Sequence, residues 1–119
     1  MPTSWNRKLK IPCVYILASQ RDGVLYIGVT SDRHGRMSDH VDGVFEGFTK
    51  RHNIKMLVYY ELHETMDAAI KREKQIKQWQ RAWKVRLING FNPEWIDLYD
   101  RDTGEILDGP SDADRQRQP

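Results

Sequence analysis

The stretch PCVYILASQRDGVLYIGVT, Pro12 to Thr30, constrains the fold more than any other. Two short runs rich in β-branched and aromatic residues flank an Asp-Gly pair, the composition of two strands joined by a tight turn. A hairpin therefore opens the domain and sets Tyr15 and Tyr26 on neighbouring strands. Downstream, SDRHGRMSDH offers Ser31 or Asp32 as a helix N-cap, although Gly35 weakens the first turn. Arg36 and His40, four residues apart, share one face of that helix. KMLVYYEL, Lys55 to Leu62, reads as a third strand, and Thr65 caps a long helical stretch that Asn89-Gly90 ends. One helix, or two broken near Trp79 to Arg81, fits the pattern equally. The order β-β-α-β-α-α predicts an α+β fold, a small three-stranded antiparallel or mixed sheet flanked by helices.

The long helical stretch holds an anomaly. At about 100° per residue, Met66, Ala69, Ile70, Ile76, Trp83 and Leu87 gather on one face, and Glu73 falls among them. An ionised carboxylate on an apolar face costs several kcal/mol unless it meets a cation, a metal or a proton. Glu73 is therefore a structural ion pair, a catalytic or metal-binding carboxylate in a cleft, or a sign that the periodicity is misread.

At 119 residues the chain has the length of one domain. No apolar run reaches the length of a membrane span and the N-terminus lacks a signal peptide's apolar centre, so a cytoplasmic protein without membrane contact is expected. A lone cysteine, Cys13, excludes an internal disulfide and a multi-cysteine zinc site, and reads as a buried small hydrophobe. The net charge of +2 hides an uneven distribution. Between residues 71 and 86, Lys71, Arg72, Lys74, Lys77, Arg81, Lys84 and Arg86 stand against Glu73 alone, giving +6. A basic stripe of this kind is the footprint of a polyanion partner, or a solvated helix surface. Trp79 and Trp83, interleaved with it, either cover the core or stack on bases.

VYI at Val14 to Ile16, YIG at Tyr26 to Gly28, Arg36 ten residues on, His40 four after that and the helical Glu73 together resemble the GIY-YIG nuclease family. The segments YIGVTSD, GFTKR, REKQIK and NPEW are similar to those of its small stand-alone bacterial members, and the resemblance spans roughly Pro12 to Tyr99. Cys13 stands where the first motif has glycine, and Val14 where it has isoleucine. The resemblance implies a metal-dependent endonuclease acting on DNA, single-stranded or branched, with the chemistry not distinguishing DNA from RNA. It implies Tyr15, Tyr26, Arg36, His40 and Glu73 as catalytic residues, Glu73 holding one divalent ion, Mg²⁺ or Mn²⁺. A late cleft-lining asparagine is expected at Asn92, or at Asn89. Lys50, Arg51, Lys74, Lys77, Arg81, Lys84 and Asn92 are the candidate nucleic-acid contacts.

Each role has a physical basis. Phosphodiester hydrolysis needs an aligned nucleophile, charge stabilisation on the non-bridging oxygens and help for the leaving alkoxide. A hard cation on one carboxylate, completed by phosphate and water, serves the last two. Arg36 can fork onto a phosphate, and His40 can relay a proton or position a phosphate. A tyrosine orients the water, or deprotonates it if cations lower its pKa from about 10. Two other classes compete: a nucleic-acid-binding module using the basic helix 71–86 without hydrolysis, and a protein-interaction domain using Trp79 and Trp83. Residues 1–11 form an N-terminal extension, 12–100 the nuclease-like domain, and 101–119 a disordered polar tail. Larger members of the resembled family carry extra domains that choose the target, so a structure-selected substrate or a partner that selects it is the expectation here.

Overall fold

The computed structural model describes residues 10–41 and 51–107, except for the side chains of His40 and Val41. Three strands and three helices run in the order β1 (Cys13–Ala18), β2 (Leu25–Thr30), α1 (Arg33–Val41), β3 (Met56–Leu62), α2 (Met66–Gln78) and α3 (Arg81–Phe91). The sheet is fully antiparallel, in the order β2-β1-β3. Every residue of β1 is buried, which explains its unbroken apolar run: a central strand covered on both faces does not alternate.

Asp22 takes a positive φ of 58° in the turn between β1 and β2, and Gly23 N–H closes on the Gln20 carbonyl at 2.9 Å. Arg81 then grips the turn from α3, its Nη2 donating to the Asp22 and Gly23 carbonyls at 2.8 and 2.7 Å. Asp32 caps α1: its carbonyl accepts from Arg36 N–H and its Oδ1 from Gly35 N–H. A side chain at position 35 would run into the Asp32 carboxylate, so the glycine expected to weaken the first turn makes room for its cap.

Two helices follow β3. Thr65 Oγ1 accepts from Ala68 N–H at 3.1 Å to start α2. Trp79 and Gln80 are both extended, breaking the helical stretch before α3 begins. Ala69 and Ile76, seven residues apart, are the fully buried positions of α2 and hold it against β1 and β2. Helix α3 runs past the expected stop at Asn89-Gly90 to Phe91, because Phe91 is buried between the Tyr59 and Tyr60 rings, with centroids at 5.1 and 5.3 Å.

The segment after α3 closes the outer edge of β3. Leu98 N–H donates to the Leu57 carbonyl at 2.8 Å, and Asp97 Oδ1 accepts from Leu57 N–H at 3.1 Å. Trp95, 2% exposed at φ 54°, is held there by its indole N–H on Asn89 Oδ1. The tail expected from Arg101 does not begin there. Residues 99–107 return through a Tyr99–Ile106 bridge, and Tyr60 hydroxyl donates to the Leu107 carbonyl at 2.9 Å. No helix among the described residues is long and apolar enough to cross a membrane.

Candidate active site

Strand β2 is an edge strand, and Gly28 on it pairs with Tyr15 of β1. A Cβ at Gly28 would collide with the outer end of the Tyr15 ring, so the glycine lets the phenol lie across the edge strand. Tyr26 pairs with Leu17, which places it diagonally from Tyr15 on the same sheet face. The two rings are 6.4 Å apart, tilted by 39°. Tyr15 is buried and Tyr26 half-buried.

Charges from two helices reach the same phenol. Burial is the largest influence on Tyr15 and pushes its pKa up; Tyr26 adds to the rise, Arg36 opposes it, and Cys13 and Glu73 add again. Tyr15, Tyr26, Arg36 and Glu73, from β1, β2, α1 and α2, thus share one electrostatic neighbourhood. In the protein alone, loss of solvation outweighs the Arg36 guanidinium and raises the Tyr15 pKa. Tyr15 is a neutral phenol and a hydrogen-bond donor at neutral pH. Cys13, 0% exposed, is the inert small hydrophobe expected, its thiol pushed up by burial to about 12.

Glu73 has a side chain only 13% exposed, and its Oε2 meets Lys77 Nζ one turn on at 3.1 Å. The cation that offsets its burial is therefore local, and 51% exposed. Among the described residues no three His, Cys, Asp or Glu side chains gather as a metal cage.

The remaining candidates separate. Lys50 and the His40 side chain lie outside the described residues; Arg51 and Lys74 are exposed. Arg81 braces the hairpin turn, and Lys84 Nζ approaches the Lys77 carbonyl at 3.4 Å. Asn92 is corrected from nucleic-acid contact to internal post. It is 0% exposed, its amide donates to the Val58 and Ile96 carbonyls, and its Oδ1 accepts from Ile96 N–H. An amide after a helix end satisfies orphaned backbone groups as readily as it lines a cleft.

Sequence reasoning missed a cluster on the other flank of α2. Glu61 on β3 accepts from Tyr59 hydroxyl at 2.6 Å, His63 Nε2 at 2.6 Å and Arg72 Nε at 3.0 Å. Burial works to raise its pKa, yet the hydrogen bonds from Tyr59, His63 and Arg72 hold it below the usual carboxylate value. The one available signal was an acid in an otherwise apolar strand, YYEL.

A family described as the GIY-YIG catalytic domain matches residues 11–87. The chain is also similar to the UPF0213 protein of Staphylococcus aureus strain Mu3, to UPF0213 protein SAV0488 of strain Mu50 and to UPF0213 protein SA0446 of strain N315. Each is 41% identical over 75 residues, 63% of this chain and 90% of the relative. No solved structure matches it. With the family match covering residues 11–87 and the YIG glycine seating Tyr15, the chain belongs to the GIY-YIG family of nuclease domains.

Proposed function

We propose that this protein is a metal-dependent endonuclease that hydrolyses phosphodiester bonds in single-stranded or branched DNA. The Tyr15–Tyr26 pair fixed over Gly28 carries the reading, with Arg36 and Glu73 near enough to act on the Tyr15 phenol electrostatically. Arg36 holds the non-bridging oxygens of the scissile phosphate through its fork of donors. Tyr15, neutral and fixed over Gly28, donates to the phosphate or orients the attacking water, with Tyr26 beside it.

Glu73 suits a hard divalent cation, Mg²⁺ or Mn²⁺. It is a largely sheltered oxygen donor, and a single carboxylate suffices when phosphate and water complete the shell. A bound cation supplies charge neutralisation at the phosphate and a more acidic water. Lys77, tethered to Glu73 only by an exposed ammonium, moves aside at small cost.

The Glu73–Lys77 pair also supports a second reading, a nucleic-acid-binding domain in which that pair is structural and cleavage is weak or absent. Cleavage of labelled single-stranded, duplex and branched DNA with Mg²⁺ or Mn²⁺, run beside Glu73→Gln and an EDTA control, separates them. The nuclease reading expects metal-dependent cutting, lost in Glu73→Gln with the fold intact. Salt-sensitive binding without cutting under either metal overturns it.

A further inference from the structure

The corner between α2 and α3 carries a second aromatic feature that the candidate active site does not use. Trp79 and Trp83 meet edge to face, their centroids 6.1 Å apart, and an open groove of about 470 Å³ lies along them between Tyr59, Arg86 and Leu87. Trp83 is 47% exposed, unusual for so large an apolar ring. Trp79 is fixed from behind: the Arg72 guanidinium sits 5.1 Å from its ring centre and is itself held by Glu61 and Gln75. Gly90 faces open space and leaves the α3 wall of the groove bare.

The charge around the groove selects its occupant. Arg86 lines it, and among the described residues no carboxylate pairs with Arg86. The remaining groove-lining residues among those described are Tyr59, Trp79, Trp83, Leu87 and Gly90, so no acid faces the Arg86 guanidinium there. A polyanion whose units carry flat rings satisfies both the charge and the exposed indole. An apolar peptide has no use for the cations, and an acidic one lacks the rings.

Location makes the groove a separate site. At about 100° per residue, Arg72 lies on one flank of the buried Ala69–Ile76 stripe and Glu73 on the other, and Arg72 stacks on Trp79 just past the helix end. Along the helix, Glu73 and Trp79 are separated by about 9 Å of rise. We propose that the Trp79–Trp83 groove docks an unpaired base of a single-stranded nucleic acid, with Trp83 as the stacking platform and Arg86 on a neighbouring phosphate. This rests on the nucleic-acid part of the functional reading and not on cleavage.

The test uses the full chain carrying Glu73→Gln, in EDTA. Labelled oligothymidylate, an abasic oligomer with the same number of phosphates and a blunt duplex are titrated at several salt concentrations. The expected result is about tenfold tighter binding of oligothymidylate than of the abasic oligomer, the stacking of about one base. Trp83→Ala removes that difference while leaving abasic affinity and salt slope unchanged; Trp83→Phe restores part of it. The exposure of Trp83 makes both variants foldable, which circular dichroism checks. Equal affinity for the two oligomers, or an equal loss for both in Trp83→Ala, overturns the groove assignment alone. Equal oligomer affinities with a Trp83→Ala change in sedimentation assign the groove to a second copy instead. Absence of salt-sensitive binding to any nucleic acid overturns the nucleic-acid reading as well.

Discussion

Glu61 and Glu73 stand on opposite flanks of α2, and both are largely sheltered, with 19% and 13% of their side chains exposed. Their surroundings differ in kind. Both oxygens of Glu61 are engaged, by the Tyr59 hydroxyl, His63 Nε2 and the Arg72 Nε–H that they share. Glu73 is slightly more buried, yet among the described residues it meets only the Lys77 ammonium, through Oε2. A carboxylate offers about four acceptor sites; those of Glu61 are filled by the fold, and those of Glu73 are not filled by the contacts that Lys77 supplies. Burial thus does not distinguish the two acids, whereas the saturation of their oxygens does.

The sharpest way to break this comparison is to neutralise each acid in turn. Glu73→Gln should lower the cleavage rate by on the order of 10²–10³-fold or more, with a denaturant midpoint close to that of the parent chain. A large loss of stability there would return Glu73 to the structural class. Glu61→Gln should do the reverse, costing on the order of 3 kcal/mol in chemical denaturation because Arg72 loses its anionic partner. Folded Glu61→Gln protein should still cut.

The two acids also differ in their pH signature. The folded-state pKa of Glu61 is depressed below the ordinary 4.5, so its stabilisation is present above that value and lost as the pH falls through the folded pKa. The stability gap between parent and Glu61→Gln should therefore narrow in acid. A gap independent of pH from neutrality down to acid unfolding would contradict the network.

Gly28→Ala sharpens the comparison from the sheet side. The added methyl pushes on the Tyr15 ring, costing about 1–3 kcal/mol. It should also cut kcat more than it raises KM, since it displaces a phenol and not a binding cation; unchanged kcat would remove Tyr15 from the site. The smallest effect is expected for Lys77→Ala. Stability should change by less than about 0.5 kcal/mol. The salt dependence of DNA binding should flatten by about one phosphate contact, if Lys77 leaves Glu73 for the substrate.

How much of this was legible beforehand depends on the distance over which each residue acts. The hairpin, the Thr65 cap and the three strands follow from turn chemistry, capping and apolar periodicity, which operate over a few residues. The anomaly of Glu73 was also local, and its i,i+4 spacing to Lys77 was visible, although Lys77 read as a phosphate contact. Local rules misled in two places. Asn89-Gly90 has the composition of a helix stop, but burial of Phe91 between two tyrosines carries α3 onward. The polar composition after Asp100 predicted disorder, but the Tyr60 hydroxyl and the Tyr99–Ile106 bridge draw residues 99–107 back.

By itself, then, the sequence determined the element order, the motif tyrosines on paired strands and the off-pattern carboxylate of α2. Each is written in spacing along the chain, where backbone geometry decides which neighbours share a face. Only the tertiary structure decided that Arg72 belongs to Glu61, that Asn92 is an internal post, that burial holds Tyr15 neutral, and that Trp79 and Trp83 frame an open groove. Those outcomes depend on which elements dock against one another. A hydrogen bond or a desolvated phenol takes its energy from neighbours far away in sequence, and spacing along the chain does not encode them.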